Sequence, residues 1–182
     1  PYGAPAGPYG AAPAYGGQQG LVPAGGYASW IKRVGAYIID GLAAALAGIP
    51  LWIGYAILLS HIKTTTNADG TTTSTMTGNS AAAVILIVLG LITYVAFWVW
   101  NTCLRQGRSG YSIGKGVLGI RLLDANTAEP IGGLMSFVRQ LVHVLDSLAC
   151  YLGWLWPLWD AKSQTFADKI MHTVVVNQPQ GS

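Results

Sequence analysis

Charged residues are scarce in this chain: lysine, arginine, aspartate and glutamate together make up 9% of its 182 residues, against about 25% in an ordinary soluble domain. With 52% of the residues apolar, a solvent other than water is expected around much of the surface. Cysteine is scarce too. Cys103 and Cys150 make no CxxC pair and have no Cys/His cluster near them, which excludes a disulfide framework and a thiolate metal cage. Both are expected to be small buried hydrophobes. The three histidines, His61, His143 and His172, are too far apart to show ligand spacing. HExxH is missing, and although GYSIG at 110–114 and GKGVLG at 114–119 spell GxSxG and GxGxxG, the strand–helix context those motifs need is missing. GYSIGKG at 110–116 falls one residue short of a P-loop and lacks the following Ser/Thr. No nucleophile–base constellation stands out, so the expectation is a protein that is not an enzyme and that has no cofactor and no metal site. The formal charge is +3, but the cations are scattered in loops without a basic, aromatic-laced stripe, so nucleic acid is not expected as a partner.

Two long apolar runs fill part of what is missing. Residues 34–60 carry a single charge, Asp40, and residues 81–103 carry none. About 20 apolar residues cross a bilayer core, so both read as spanning helices, the first kinked at Pro50. Lys32 and Arg33 precede the first run, with Trp30 as an aromatic anchor. Arg105 and Arg108 follow the second, behind Phe97, Trp98 and Trp100. Nine of the ten basic residues lie outside the connecting loop, where Lys63 stands alone. By the positive-inside rule the loop faces outward and both termini are cytoplasmic. The expected location is a bacterial-type plasma (inner) membrane, multi-pass. No signal peptide is expected, because the first apolar stretch starts some thirty residues in and is too long for an h-region.

Around these spans the chain divides further. Residues 1–29 form a low-complexity Pro/Tyr/Gly-rich tail without charge, expected to be disordered and to serve as a tether or a docking segment. The connector 61–80 holds eight threonines around Asn-Ala-Asp-Gly, a turn signal that suggests a short exposed hairpin. Residues 117–123 alternate as a short strand would, before an Asp-Ala-Asn-Thr turn. Residues 134–159 are ambiguous: Arg139, His143 and Asp146 make the first half amphipathic, while Gly153 and Pro157 interrupt the second. A full span would carry Lys162 and Lys169 outside. A re-entrant or interfacial segment keeps them inside, and there His143 and Asp146 would face water. The expected fold class is therefore an all-α membrane protein with two transmembrane helices, a re-entrant or interfacial helical segment and a short β-like hairpin.

Candidate functional residues follow from the cost of burying charge. Asp40 lies two turns into the first span, where an unpaired carboxylate costs several kcal/mol. It is either paired or capping in a structural role, or part of an ion or proton site. Arg33 stands seven residues before it, on the same helix face and about 10 Å away along the axis. Asp160 and Asp168 are placed to reach back to Arg33, Arg105 or Arg139. Gly41 with Ala45, and Ala44 with Gly48, form a small-xxx-small stripe that permits close helix packing.

Three blocks in order resemble the RDD family of bacterial membrane proteins: RVGAYIID, then GYSIGKGVLGIRLLDANTAEPIG, then FVRQLVHVLD with DAKSQTFADKIMHTVVV. The resemblance covers residues 30–176, leaving 177–182 as a C-terminal tail. It implies that Arg33 and Asp40 are the first two signature residues and that Asp168 or Asp160 is the third. A histidine often precedes that aspartate in the family, where this chain has Ala167. The composition of the N-terminal tail is similar to the actinobacterial proline-rich antigen type. Two functions are carried forward. One is an accessory or assembly subunit that packs, within the lipid bilayer, against other membrane protein subunits. The other, proposed for some members of the family, is a homo-oligomeric cation/proton transporter using Arg33 and Asp40.

Overall fold

The computed structural model describes residues 25–148 and 150–178. It is mostly helical, with two small antiparallel strand pairs. The expected tail up to residue 24 lies outside the described residues, as do residues 179–182.

The first apolar run is two helices, α1 (Trp30–Ala47) and α2 (Ile49–Ser60), meeting at Gly48 with a bend of 61°. Pro50 does not kink a continuous rod. It sits in the first turn of α2, where its missing N–H has no intrahelical partner to lose. The break frees backbone groups, and the Thr93 hydroxyl donates to the Ala47 carbonyl at 2.7 Å, a cross-helix repair of the kind a membrane interior demands.

After α2 comes a hairpin, β1 (Ile62–Thr66) and β2 (Thr72–Met76), with Ile62 opposite Met76 and Thr66 opposite Thr72. Every residue in both strands is exposed. Gly70, at φ 82°, supplies the left-handed turn position.

The second run begins as α3 (Ala81–Trp98), widens into a π-helix over Val99–Arg105, and ends as α4 (Gln106–Ser109). Ala81–Ser109 is one helix long and apolar enough to cross a membrane. α2 lies against α3 at backbone distance: a Cβ on Gly54 would sit 2.7 Å from the Ala83 carbonyl oxygen, and one on Gly90 would collide with the Leu51 backbone.

The chain then turns at Gly110, left-handed at φ 79°, into α5 (Ile113–Val117) and β3 (Ile120–Asp124). The strand reading for 117–123 is thus shifted toward the C-terminus, because its first residues close α5. α6 (Gly133–Leu148) follows, then α7 (Leu152–Leu155) and a 3-10 turn at Trp156–Leu158. The α6 axis and the one after it differ by 105°, and Cys150 and Tyr151 in the break are left-handed. The ambiguous third segment is therefore a bent pair and not a straight rod. If each bent pair is one span, up to three segments could cross a membrane by length and composition.

α8 (Phe166–Ile170) and β4 (Thr173–Asn177) complete the fold. β4 pairs antiparallel with β3, and Tyr27 bridges Val176. The described end of the expected tail is therefore held in place. Ala28 is fully buried and donates to Val175, and the Asn177 side chain binds the Gly25 and Tyr27 carbonyls. Asn177, expected in a tail, is a strand residue. Ala28, Ala36, Ile120, Leu122 and Val175 form the apolar core beneath this sheet.

The small-residue stripe divides. Ala44 and Gly48 are buried, with Gly48 facing the Tyr94 ring. Gly41 is exposed with nothing beside it, and Ala45 is half-buried. Cys103 is buried as expected, but Cys150 is exposed, because it sits in the turn after α6.

Candidate functional site: a buried charge cluster

α6 has its polarity reversed relative to a soluble amphipathic helix. Ser136, Arg139, His143 and Asp146, spaced three and four apart on one face, are all buried. Leu134, Leu141 and Leu148 on the outer side are 73%, 56% and 74% exposed. A helix of this kind suits a surface that meets lipid, where the apolar side faces out and the polar side needs partners inside. The expectation that His143 and Asp146 face water is overturned. His143 Nδ1 pairs with Asp146 Oδ2, the His143 ring stacks on Trp154 at 4.6 Å, and Asp146 Oδ1 accepts the Ala167 N–H. The Asp146 carboxylate also fills the space a Gly153 side chain would need, which explains one of the two breakers.

At the centre is Asp168, on α8 and fully buried. Arg33 NH1 donates to Oδ2 at 2.7 Å. Arg139 donates to Oδ1 through Nε at 3.0 Å and NH2 at 2.7 Å. Thr173 Oγ1 donates at 2.9 Å, and the Thr165 N–H closes a capping box around the start of α8. Burial alone would push this carboxyl upward. The Arg139 and Arg33 guanidiniums outweigh that and hold it well below the usual carboxylate range. Both oxygens are thus saturated by charged and neutral donors, the condition under which a buried ion pair is tolerated. Asp160 lies apart: it pairs with Lys169 and accepts the Lys162 and Gln164 N–H groups. Its own partial burial raises it, but Lys169 and the N–H donors prevail and leave it lowered.

Arg33 and Asp40 share a helix face but not a partner. Asp40 faces α5: Oδ1 accepts the Gly114 N–H and the Asn101 side-chain N–H, each at 2.8 Å, and Oδ2 accepts the Ser112 hydroxyl. Asn101, turned inward by the π-helix, returns its own oxygen to the Ile113 N–H at 2.8 Å. The segment that resembles a shortened P-loop therefore has its leading N–H groups occupied by the chain's own side chains. The approach is tight, since any Cβ on Gly114 would overlap the Ala36 carbonyl.

Beside it runs a second polar chain. Lys115 Nζ donates to Gln106 Oε1 at 2.6 Å, Gln106 Nε2 to Ser136 Oγ at 3.1 Å, and Ser136 Oγ to the Thr102 carbonyl at 2.8 Å. Removal from water, reinforced by Arg139, lowers Lys115 to about 8.

The structure thus brings Arg33, Arg139 and Asp168 together and seats Asp40 separately on Asn101, Ser112 and Gly114. Reading the sequence did not single out Asn101, Gln106, Ser112 or Thr173. The polar stripe of α6 marked a face that needs a polar environment, without saying whether water or the protein interior supplies it. Among the described residues, no group of three or more His, Cys, Asp or Glu could hold a metal.

A family model described as RDD family matches residues 27–172. The chain is 38% identical over 160 residues to the "Proline-rich antigen" of Mycobacterium leprae (strain TN), which covers 84% of this chain and 62% of the relative. It is 39% identical over 162 residues to the "Proline-rich antigen homolog" of Mycobacterium tuberculosis (strain CDC 1551 / Oshkosh), covering 85% and 65%. The chain therefore spans under two thirds of the length of these relatives. No solved structure matches it.

Proposed function

The chain belongs to the RDD family, which is membrane-associated, and from that premise we propose that it is an accessory or assembly subunit packed against a larger membrane complex. The observation that carries this reading is the saturation of its acids. Asp168 is held by two guanidiniums, and Asp40 accepts from three donors of the chain itself. A carboxylate that carries a proton or cation must exchange partners in each cycle. These two act as internal clamps that fix α1, α5, α6 and α8 to one another. The spans of this chain show no inverted repeat of the transporter kind, which favours the same reading. The basic ends of the spans support a plasma (inner) membrane location with the charge cluster on the cytoplasmic side.

The test is the mass of the native complex in mild detergent. One copy beside foreign subunits is the expected result. A complex made only of this chain overturns it.

The second reading is a homo-oligomeric cation/proton transporter. It is favoured by Lys115, an enclosed ammonium on a polar chain that removal from water lowers to about 8. On that reading Asp40→Asn abolishes ion flux in reconstituted vesicles while the protein stays folded. Unchanged flux removes it.

A further inference from the structure

A cleft of about 640 Å³ opens where the α3–α4 rod ends, bordered by Trp100, Leu104, Arg105, Arg108 and Tyr111. That volume is typical of small-molecule sites. None of the residues around it is acidic. The Arg105 NH1 atom is buried yet has no hydrogen-bond partner among the described residues. The omission is unusual, because a guanidinium N–H taken from water normally finds an acceptor. Arg108 is exposed beside it. The Tyr111 ring is held by Arg121, whose guanidinium lies over it at 5.2 Å and donates to the Ser109 carbonyl. On the other side the cleft grades into apolar surface, with Trp100 47% and Leu104 42% exposed.

From this gradient we infer that the cleft seats the anionic phosphate headgroup of a membrane lipid, with the phosphate between Arg105 and Arg108 and the acyl chains running over Leu104 and Trp100. Arginine suits this role because its planar fork presents paired donors to phosphate oxygens. The apolar side selects a lipid over a free phosphate. A soluble phosphate would use the cations but gain nothing from Leu104 or the exposed indole. A tryptophan at the end of an apolar rod also lies at the depth where headgroups sit.

The test uses the full chain in mild detergent, with phosphatidylglycerol retention followed by native mass spectrometry. Phosphatidylcholine and glycerol phosphate serve as the other probes. Phosphatidylglycerol is expected to stay bound where zwitterionic phosphatidylcholine does not. Arg108→Gln, at an exposed position that folding does not need, should lower retention about fivefold, the effect of one basic residue beside an anionic surface. Arg105→Gln with Arg108→Gln should lower it further, and lysine at both positions should restore part of it. Lys63→Gln, which removes one cation from the threonine-rich loop, should leave retention unchanged. Three results overturn the inference: equal retention of both lipids, unchanged retention in the double glutamine variant, or a loss in Lys63→Gln equal to that in Arg108→Gln. Displacement of phosphatidylglycerol by an equal concentration of glycerol phosphate also overturns it, assigning the cleft to a soluble phosphate.

Discussion

Two pairs of helices in this molecule solve the same problem by opposite means. α2 and α3 are held by shape: Gly54 and Gly90 remove side chains so that backbones nearly touch, while the Thr93 hydroxyl of α3 repairs the carbonyl of Ala47 at the end of α1. α1 and α6 are held by charge: Arg33 and Arg139 converge on Asp168, with α8 as the platform. In lipid, apolar side chains gain nothing by leaving the solvent for one another, so helices associate by close packing or by polar bonds. The comparison teaches how the two differ when damaged. Packing degrades by increments, whereas a buried ion pair that loses one partner leaves an uncompensated charge.

The sharpest way to break that comparison is Asp168→Ala. It should cost about 3–5 kcal/mol, read as a fall in the thermal midpoint in mild detergent, because two guanidiniums lose their acceptor together. Gly90→Ala on the packing side drives a Cβ into the Leu51 backbone, so that α2 as a whole must move, and should cost about 1–3 kcal/mol. A reversal of that order would refute the division into charge-held and shape-held halves. Lys115 sharpens the charge side through pH. Its folded state releases the proton at about 8, against an ordinary 10.5. Between those values the unfolded chain binds more protons, so stability should rise with pH through that window and be flat below it. Lys115→Met should remove the slope, as followed by denaturation at a series of pH values. The smallest effect belongs to the exposed hairpin. Thr75→Ala, on a strand with no buried residue, should change stability by no more than about 0.5 kcal/mol.

How much of this was legible beforehand depended on the length scale of the signal. The apolar runs, the threonine hairpin and the breaks around Pro50 and Gly153 announced themselves locally, because each rests on residues adjacent in the chain. Asp168 could be named as a partner for Arg33, Arg105 or Arg139 from charge alone, since few acids were available. Which arginine it chose, and that it chose both, is set by how α8 docks beneath α6, a contact between distant residues. The π-helix could not be read at all. Nothing in VWNTCLR departs from an ordinary helical pattern, yet the wider turn is what aims Asn101 at Asp40. His143 and Asp146 were misjudged because a polar stripe reads as wet in water and as interior in lipid, and the stripe alone does not say which medium it meets.

The pairing of Arg33 with Asp168 spans 135 residues. At a synthesis rate of about 5–20 residues per second, roughly 7 to 27 seconds separate the appearance of the two on the ribosome. Throughout that interval the first helix carries an orphan cation at the lipid boundary. The charge cluster is therefore among the last contacts the described fold can make, closing only after both long apolar helices have been synthesised.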